Sequence, residues 1–162
     1  MFSLRRIRGF SLIEVLIALT ILSIGLMGLA GLQGLSVMSS NRAHLQTQAT
    51  LLAQEMIDRM RANPDQARSN QYVIAKSAFP SAGANCRSSS CTPQQLAVFD
   101  LLQWKCALGN YSQQGDCQNA NISGVLPNGD GEVSVDDNEI TVTVYWSNAS
   151  GDEQSVDLVM QI

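Results

Sequence analysis

A long apolar run near the N-terminus constrains this 162-residue chain more than any other feature. It extends from Phe10 to Leu35, and between Arg8 and Arg42 the only charge is Glu14. A bilayer core takes about 20 apolar residues as helix, so the run predicts one membrane span. Arg5, Arg6 and Arg8 stand before it. By the positive-inside rule they place the N-terminus in the cytoplasm and the remainder in the periplasm. Glu14 is costly in such a span, roughly 2.5–3.5 kcal/mol at a helix centre and less near the interface. It therefore needs a reason: either a signal anchor tolerates it near the interface, or a partner neutralises it.

Beyond the span the period becomes that of a half-buried helix. Leu45, Ala49, Leu52, Met56, Ile57 and Met60 share one face, while Arg42, Gln46, Gln48, Gln54, Asp58 and Arg61 occupy the other. Lone His44 falls on the polar side. The pattern stops at Asn63-Pro64, because proline disfavours helix at the residue before it. As one helix, Phe10 to Ala62 would be about 80 Å long. Gly25, Gly28, Gly31 and Gly34 recur within it every third residue. Small residues permit close helix packing in a membrane, but each glycine also softens a helix by about 1 kcal/mol; packing with local softness satisfies both.

Pro64 to Ala84 is polar and poorly periodic, with a short strand or a helical turn expected at Gln71–Lys76, and 81–90 reads as loop. Thr92-Pro93-Gln94-Gln95 is a helix start: Thr92 caps, Pro93 suits the first position and Gln95 completes a capping box. Leu96, Phe99, Leu102 and Cys106 then line one face, and Gly109 can end the helix. After Gly124 the period becomes two. Val133 and Val135, then Ile140, Val142, Val144 and Trp146, then Val156, Leu158, Met160 and Ile162 alternate with polar residues. With turns at 136–138 and 147–152, that is a three-stranded antiparallel meander with one apolar face. Such a face must be covered, and the 45–60 helix face is the cover. The fold class is α+β: a long helix, transmembrane then amphipathic, on a small antiparallel sheet with a second short helix.

Cys86, Cys91, Cys106 and Cys117 all follow the anchor. An even count in an exported domain argues for two disulfides, with three possible connectivities. The pairing that closes short loops is Cys86–Cys91 with Cys106–Cys117; a four-thiolate zinc site is the alternative, although the spacing fits it poorly. Net charge is −4, and no Lys or Arg follows Lys105. The C-terminal half thus lacks the basic surface that nucleic acid needs. Its carboxylates make a solvated acidic face, a docking face for a basic partner or a calcium site. Asn128-Gly129-Asp130-Gly131-Glu132 offers oxygens at alternate positions as calcium loops do, but it lacks the rest of an EF-hand and also reads as a turn into a strand. No nucleophile–base pattern or phosphate loop points to an enzyme, a catalytic residue, a cofactor or a resident metal.

The block Gly9-Phe10-Ser11-Leu12-Ile13-Glu14-Val15-Leu16-Ile17-Ala18 resembles the class III signal of type IV pilins and type II secretion pseudopilins. The resemblance implies that a prepilin peptidase cuts after Gly9 and methylates the new amine of Phe10. It gives Glu14 the family's alignment role, pairing with the N-terminal amine of a neighbouring subunit. It divides the chain into a leader (1–9), a transmembrane or filament-core helix (10–35), an amphipathic stalk (36–63) and a periplasmic head (64–162). Residues 25–33 (GLMGLAGLQ), the Thr92-Pro93 helix with Trp104, and the Leu126-Pro127 turn resemble PilV-type minor pilins. That narrower likeness implies a structural subunit anchored in the inner membrane by one span and carried into the pilus, with the tip as one position. Its partners would be other minor pilins, the major pilin and the inner-membrane assembly platform. The role would be priming filament assembly in support of twitching, adhesion and DNA uptake. A minor pseudopilin and a membrane-anchored periplasmic binding module that never polymerises are the alternatives.

Overall fold

The computed structural model describes residues 9–81 and 83–161; Arg5, Arg6, Arg8 and Ile162 lie outside them. The elements are α1 (Leu12–Ala62), α2 (Pro64–Arg68), α3 (Pro93–Leu108), α4 (Gly115–Asn119), β1 (Asp130–Asp136), β2 (Glu139–Ser147) and β3 (Glu153–Gln161). The chain forms two compact units that divide between Asn41 and Arg42, within α1.

In the first unit, α1 is long and apolar enough to cross a membrane by length and composition. Its large apolar side chains are exposed on every side, from Leu12 at 85 % to Val15 at 47 %. No neighbour lies within 4 Å of the space a Cβ would take at Gly25, Gly28, Gly31 or Gly34. A helix that is hydrophobic all round needs a membrane or other helices about it.

The second unit begins with the amphipathic part of α1. Leu45, Ala49, Leu52, Met56, Ile57 and Met60 are buried in one core with Val133, Ile140, Val142, Val144, Trp146 and Met160 of the sheet. The sheet is antiparallel in the order β1-β2-β3. Its register sets Val133 opposite Val142 and Val142 opposite Leu158, so all three strands present their apolar set to the same face. Outside the strands, Ile74 forms an isolated antiparallel bridge to Val133, with N–H···O distances of 3.0 and 2.9 Å. That bridge covers part of the otherwise open β1 edge and is the strand-like element expected at Gln71–Lys76. Pro64 both ends α1 and opens α2 as its first residue. The helices α2 and α4 were too short to leave a periodic signal.

The start of α3 is the capping box the sequence predicts. Thr92 accepts from the Gln95 N–H at 3.3 Å, and Gln95 accepts from the Thr92 N–H at 2.9 Å. Its inner face differs from expectation. Leu96 and Phe99 are only half-buried, and the residues in the main core are Ala97, Leu101, Trp104 and Leu108. Leu102 and Cys106 instead join Cys117 in a smaller cluster. The cause is that α3 packs on two sides, so its apolar periodicity is the sum of two stripes. Asp100 and Lys105, charged yet buried, further disguise the inner stripe. The Trp104 indole fixes the helix by donating to the Leu52 carbonyl at 2.9 Å. Gly131 makes room for that ring, since a Cβ there would overlap Trp104 and Leu108. Gly109 ends α3 at φ 134°, where the amides of Val125 and Leu126 take the carbonyls of Ala107 and Leu108 at 2.9 and 3.0 Å.

The cysteines pair as Cys86–Cys91 and Cys106–Cys117, with Cα–Cα distances of 5.5 and 5.3 Å. The first closes an exposed loop; the second lies at the centre of the smaller cluster, with Cys106 and Cys117 fully buried. Replacing both Cys106 and Cys117 by Ser should cost about 2–5 kcal/mol, measured by urea unfolding of the detergent-solubilised chain through Trp fluorescence. The Cys86/Cys91 double replacement should cost less, because it leaves no buried polar atom behind.

Candidate functional site

The N-terminal motif sits at the open end of α1. Gly9 and Phe10 precede the helix and are exposed, Phe10 at 82 %. The amides of Glu14 and Val15 bond to the Ser11 carbonyl at 3.1 and 3.3 Å, which starts the helix. Glu14 is exposed in the first turn, where a carboxylate is favoured by the helix dipole. Among the described residues, Gly9, Phe10 and Glu14 are all exposed, beside the exposed apolar side chains of Leu12, Ile13, Val15 and Leu16.

The head holds two buried polar networks. In the first, the fully buried Lys105 ammonium donates to Asp130 Oδ1 at 2.6 Å, to the Gly131 carbonyl at 2.6 Å and to the Ala75 carbonyl at 3.2 Å. All three of its donors are thereby used. Asp130 also accepts from the Gly131 amide at 2.7 Å and, through Oδ2, from the Ser77 amide at 2.9 Å. Burial pushes the Lys105 pKa down, against the opposing pull of Asp130. This bears on the calcium reading of 128–132: the buried carboxylate of that loop is committed to Lys105. Among the described residues no group of three or more metal-binding side chains occurs. The loop is a turn into β1, with Asn128 at φ 50°. In the second network, Arg59 Nη1 reaches Asp100 Oδ1 at 3.1 Å and the Tyr72 hydroxyl donates to Asp100 Oδ2 at 2.8 Å. Asn63 Nδ2 bridges Tyr72 and the Pro93 carbonyl at 3.2 and 2.8 Å. Sequence reasoning missed both networks. The one available signal was a Lys and an Asp on what would otherwise be the apolar stripe of α3.

With the fold and this geometry in place, the comparisons are specific. A family model described as prokaryotic N-terminal methylation motif matches residues 4–30. One described as type IV pilin Tt1218 matches residues 31–102. No curated protein and no solved structure matches the chain. The two matches and the fold, a long N-terminal helix on a three-stranded antiparallel sheet, support a type IV pilin-like protein with a class III signal motif. Pilins are structural subunits as a family, and the motif and apolar helix indicate membrane anchoring and pilus incorporation.

Two outcomes follow for the head. Lys105→Met leaves Asp130 buried without its cation and should destabilise by about 3–5 kcal/mol, read from the urea midpoint. Alkaline pH is the second test. Tyr72, Tyr111 and Tyr145 all have raised pKa values, chiefly from burial. A tyrosine raised on folding contributes stability that is complete below its unfolded pKa, 10.0, and is lost as pH climbs past it. Lys105, lowered on folding, favours the folded state increasingly as pH rises toward 10.5. The tyrosines outnumber it, so stability should fall above about pH 10. Tyr72→Phe, which removes the most strongly shifted group, should flatten that fall.

Proposed function

We propose that the protein is a minor pilin of the type IV pilus, of the PilV type, which helps prime or modify filament assembly at the inner membrane. The observation that carries this reading is the methylation motif opening directly into an uninterrupted α1, with Glu14 exposed in its first turn. Prepilin peptidase removes residues 1–9 and methylates Phe10. The anchor holds the subunit in the membrane with its head in the periplasm until extraction. Glu14 then pairs with the N-terminal amine of a neighbouring subunit and sets its axial position, since an unpaired charge among apolar helices is costly. The head makes the lateral contacts, with other minor pilins and the major pilin as partners. No proline precedes Pro64, a departure from major pilins that fits a low-abundance subunit.

The test is a deletion strain scored in parallel for surface pili, twitching and secreted exoprotein, then complemented with the wild type or Glu14→Ala. Loss of pili with normal secretion is expected. Glu14→Ala should enter the membrane at wild-type levels yet restore few pili. Loss of secretion with normal pili would assign the protein to the pseudopilins instead, and normal piliation by Glu14→Ala would remove the alignment role.

A further inference from the structure

A second feature of the head is independent of assembly. Between the two disulfide loops lies a cavity of about 220 Å³, smaller than the roughly 300–1,000 Å³ typical of drug-sized ligands. Phe99, Leu102 and Gln103 of α3 line it, at positions one helical turn apart. Arg87 from one loop and Asp116 and Asn119 from the other complete the polar lining. Leu102 is buried and Phe99 half-buried, so the cavity combines apolar surface with a charged rim.

Two facts distinguish the rim from an ordinary wet surface. First, Arg87 and Asp116 line the same cavity but do not pair. Among the described residues neither makes a salt bridge, and the guanidinium of Arg87 donates to the Ala120 carbonyl at 3.3 Å. Second, each charged residue is the chain neighbour of a bridged cysteine: Arg87 follows Cys86, and Asp116 precedes Cys117. The disulfides therefore fix the two backbones that carry the charges, which lowers the ordering cost of binding.

We propose that this cavity binds a single neutral sugar ring, the end unit of a glycan. A pyranose has a C–H face suited to Phe99 and Leu102, and vicinal hydroxyls that both donate and accept. Asp116 accepts from such hydroxyls; Arg87, Asn119 and Gln103 supply donors. Opposite charges of equal number favour a ligand without net charge. The single-ring size follows from the volume.

The experiment uses the full chain in detergent, with saturation-transfer NMR against galactose, glucose and N-acetylglucosamine, and with glycine as a zwitterionic probe. At least one sugar should bind; Asp116→Asn should weaken it about tenfold, the factor that matches losing one charge-assisted hydrogen bond, and Phe99→Leu should weaken it by roughly two- to tenfold through loss of the aromatic face under the C–H groups. Both variants should keep the wild-type urea midpoint within error. If either fails to fold, Asn119→Ala, at an exposed position, replaces it. No sugar binding, binding of glycine alone, or sugar binding unchanged in the folded variants would overturn the proposal. None of these outcomes bears on piliation, so the minor pilin reading stands or falls separately.

Discussion

The Lys105 ammonium is sealed from water, and much of the head depends on how it is satisfied. Its three hydrogen bonds tie α3, which carries it, to Ala75 and to Asp130 and Gly131 at the start of β1. A buried charge pair of this kind is weak evidence for stability, because desolvation offsets most of its attraction. Its stronger effect is on specificity. Any other register of β1 against α3 would leave a lysine and an aspartate unpaired inside the core, at a cost of several kcal/mol. The Ile74–Val133 bridge and the cavity left by Gly131 for Trp104 fall within the same few residues. The network thus fixes where the meander meets the helices, while the apolar contacts decide that they meet at all.

The apolar framework was readable because each part follows one simple period. The 45–60 helix face, the three alternating strands and the Thr92 capping box each arise from local rules, and each is present. What escaped was non-local. The α3 stripe is split between two clusters, so counting every third or fourth apolar residue averaged two faces into one. Asp100 and Lys105 look like surface residues until Arg59, Tyr72 and Asp130 are placed beside them, from 25 to 41 positions away. Asp130 showed the converse: its glycine-flanked position resembled a cation loop, and only the fold reveals that a lysine holds it. At the N-terminus the motif was legible because its residues are contiguous in sequence.

The head is small for an independent domain. Small domains bury a lower fraction of their surface and need reinforcement. Here it comes from two disulfides, two buried polar networks and the apolar side of α1 itself. The stalk is therefore part of the folding unit, which agrees with a unit boundary at Arg42 rather than at Pro64. Residues 64–162 taken alone would expose the sheet face that Met56 and Met60 now cover.

Magnitudes also separate the roles of the first half of α1. Seventeen large apolar side chains between Phe10 and Met38 are exposed in the isolated chain. Removing each from water is worth about 1.5–3 kcal/mol, so their sum is roughly 25–50 kcal/mol, several times the net stability of about 5–15 kcal/mol of a folded domain. No property of the head can keep such a segment in water; it must enter a bilayer or a bundle of like helices. Against that sum, the cost of Glu14, roughly 2.5–3.5 kcal/mol at the centre of a span and less near its end, cannot decide whether the helix inserts. It is nonetheless about a hundredfold in an equilibrium between positions along a neighbour, because 1.4 kcal/mol is tenfold. A charge too weak to govern insertion and strong enough to govern register is what the proposed alignment role of Glu14 requires.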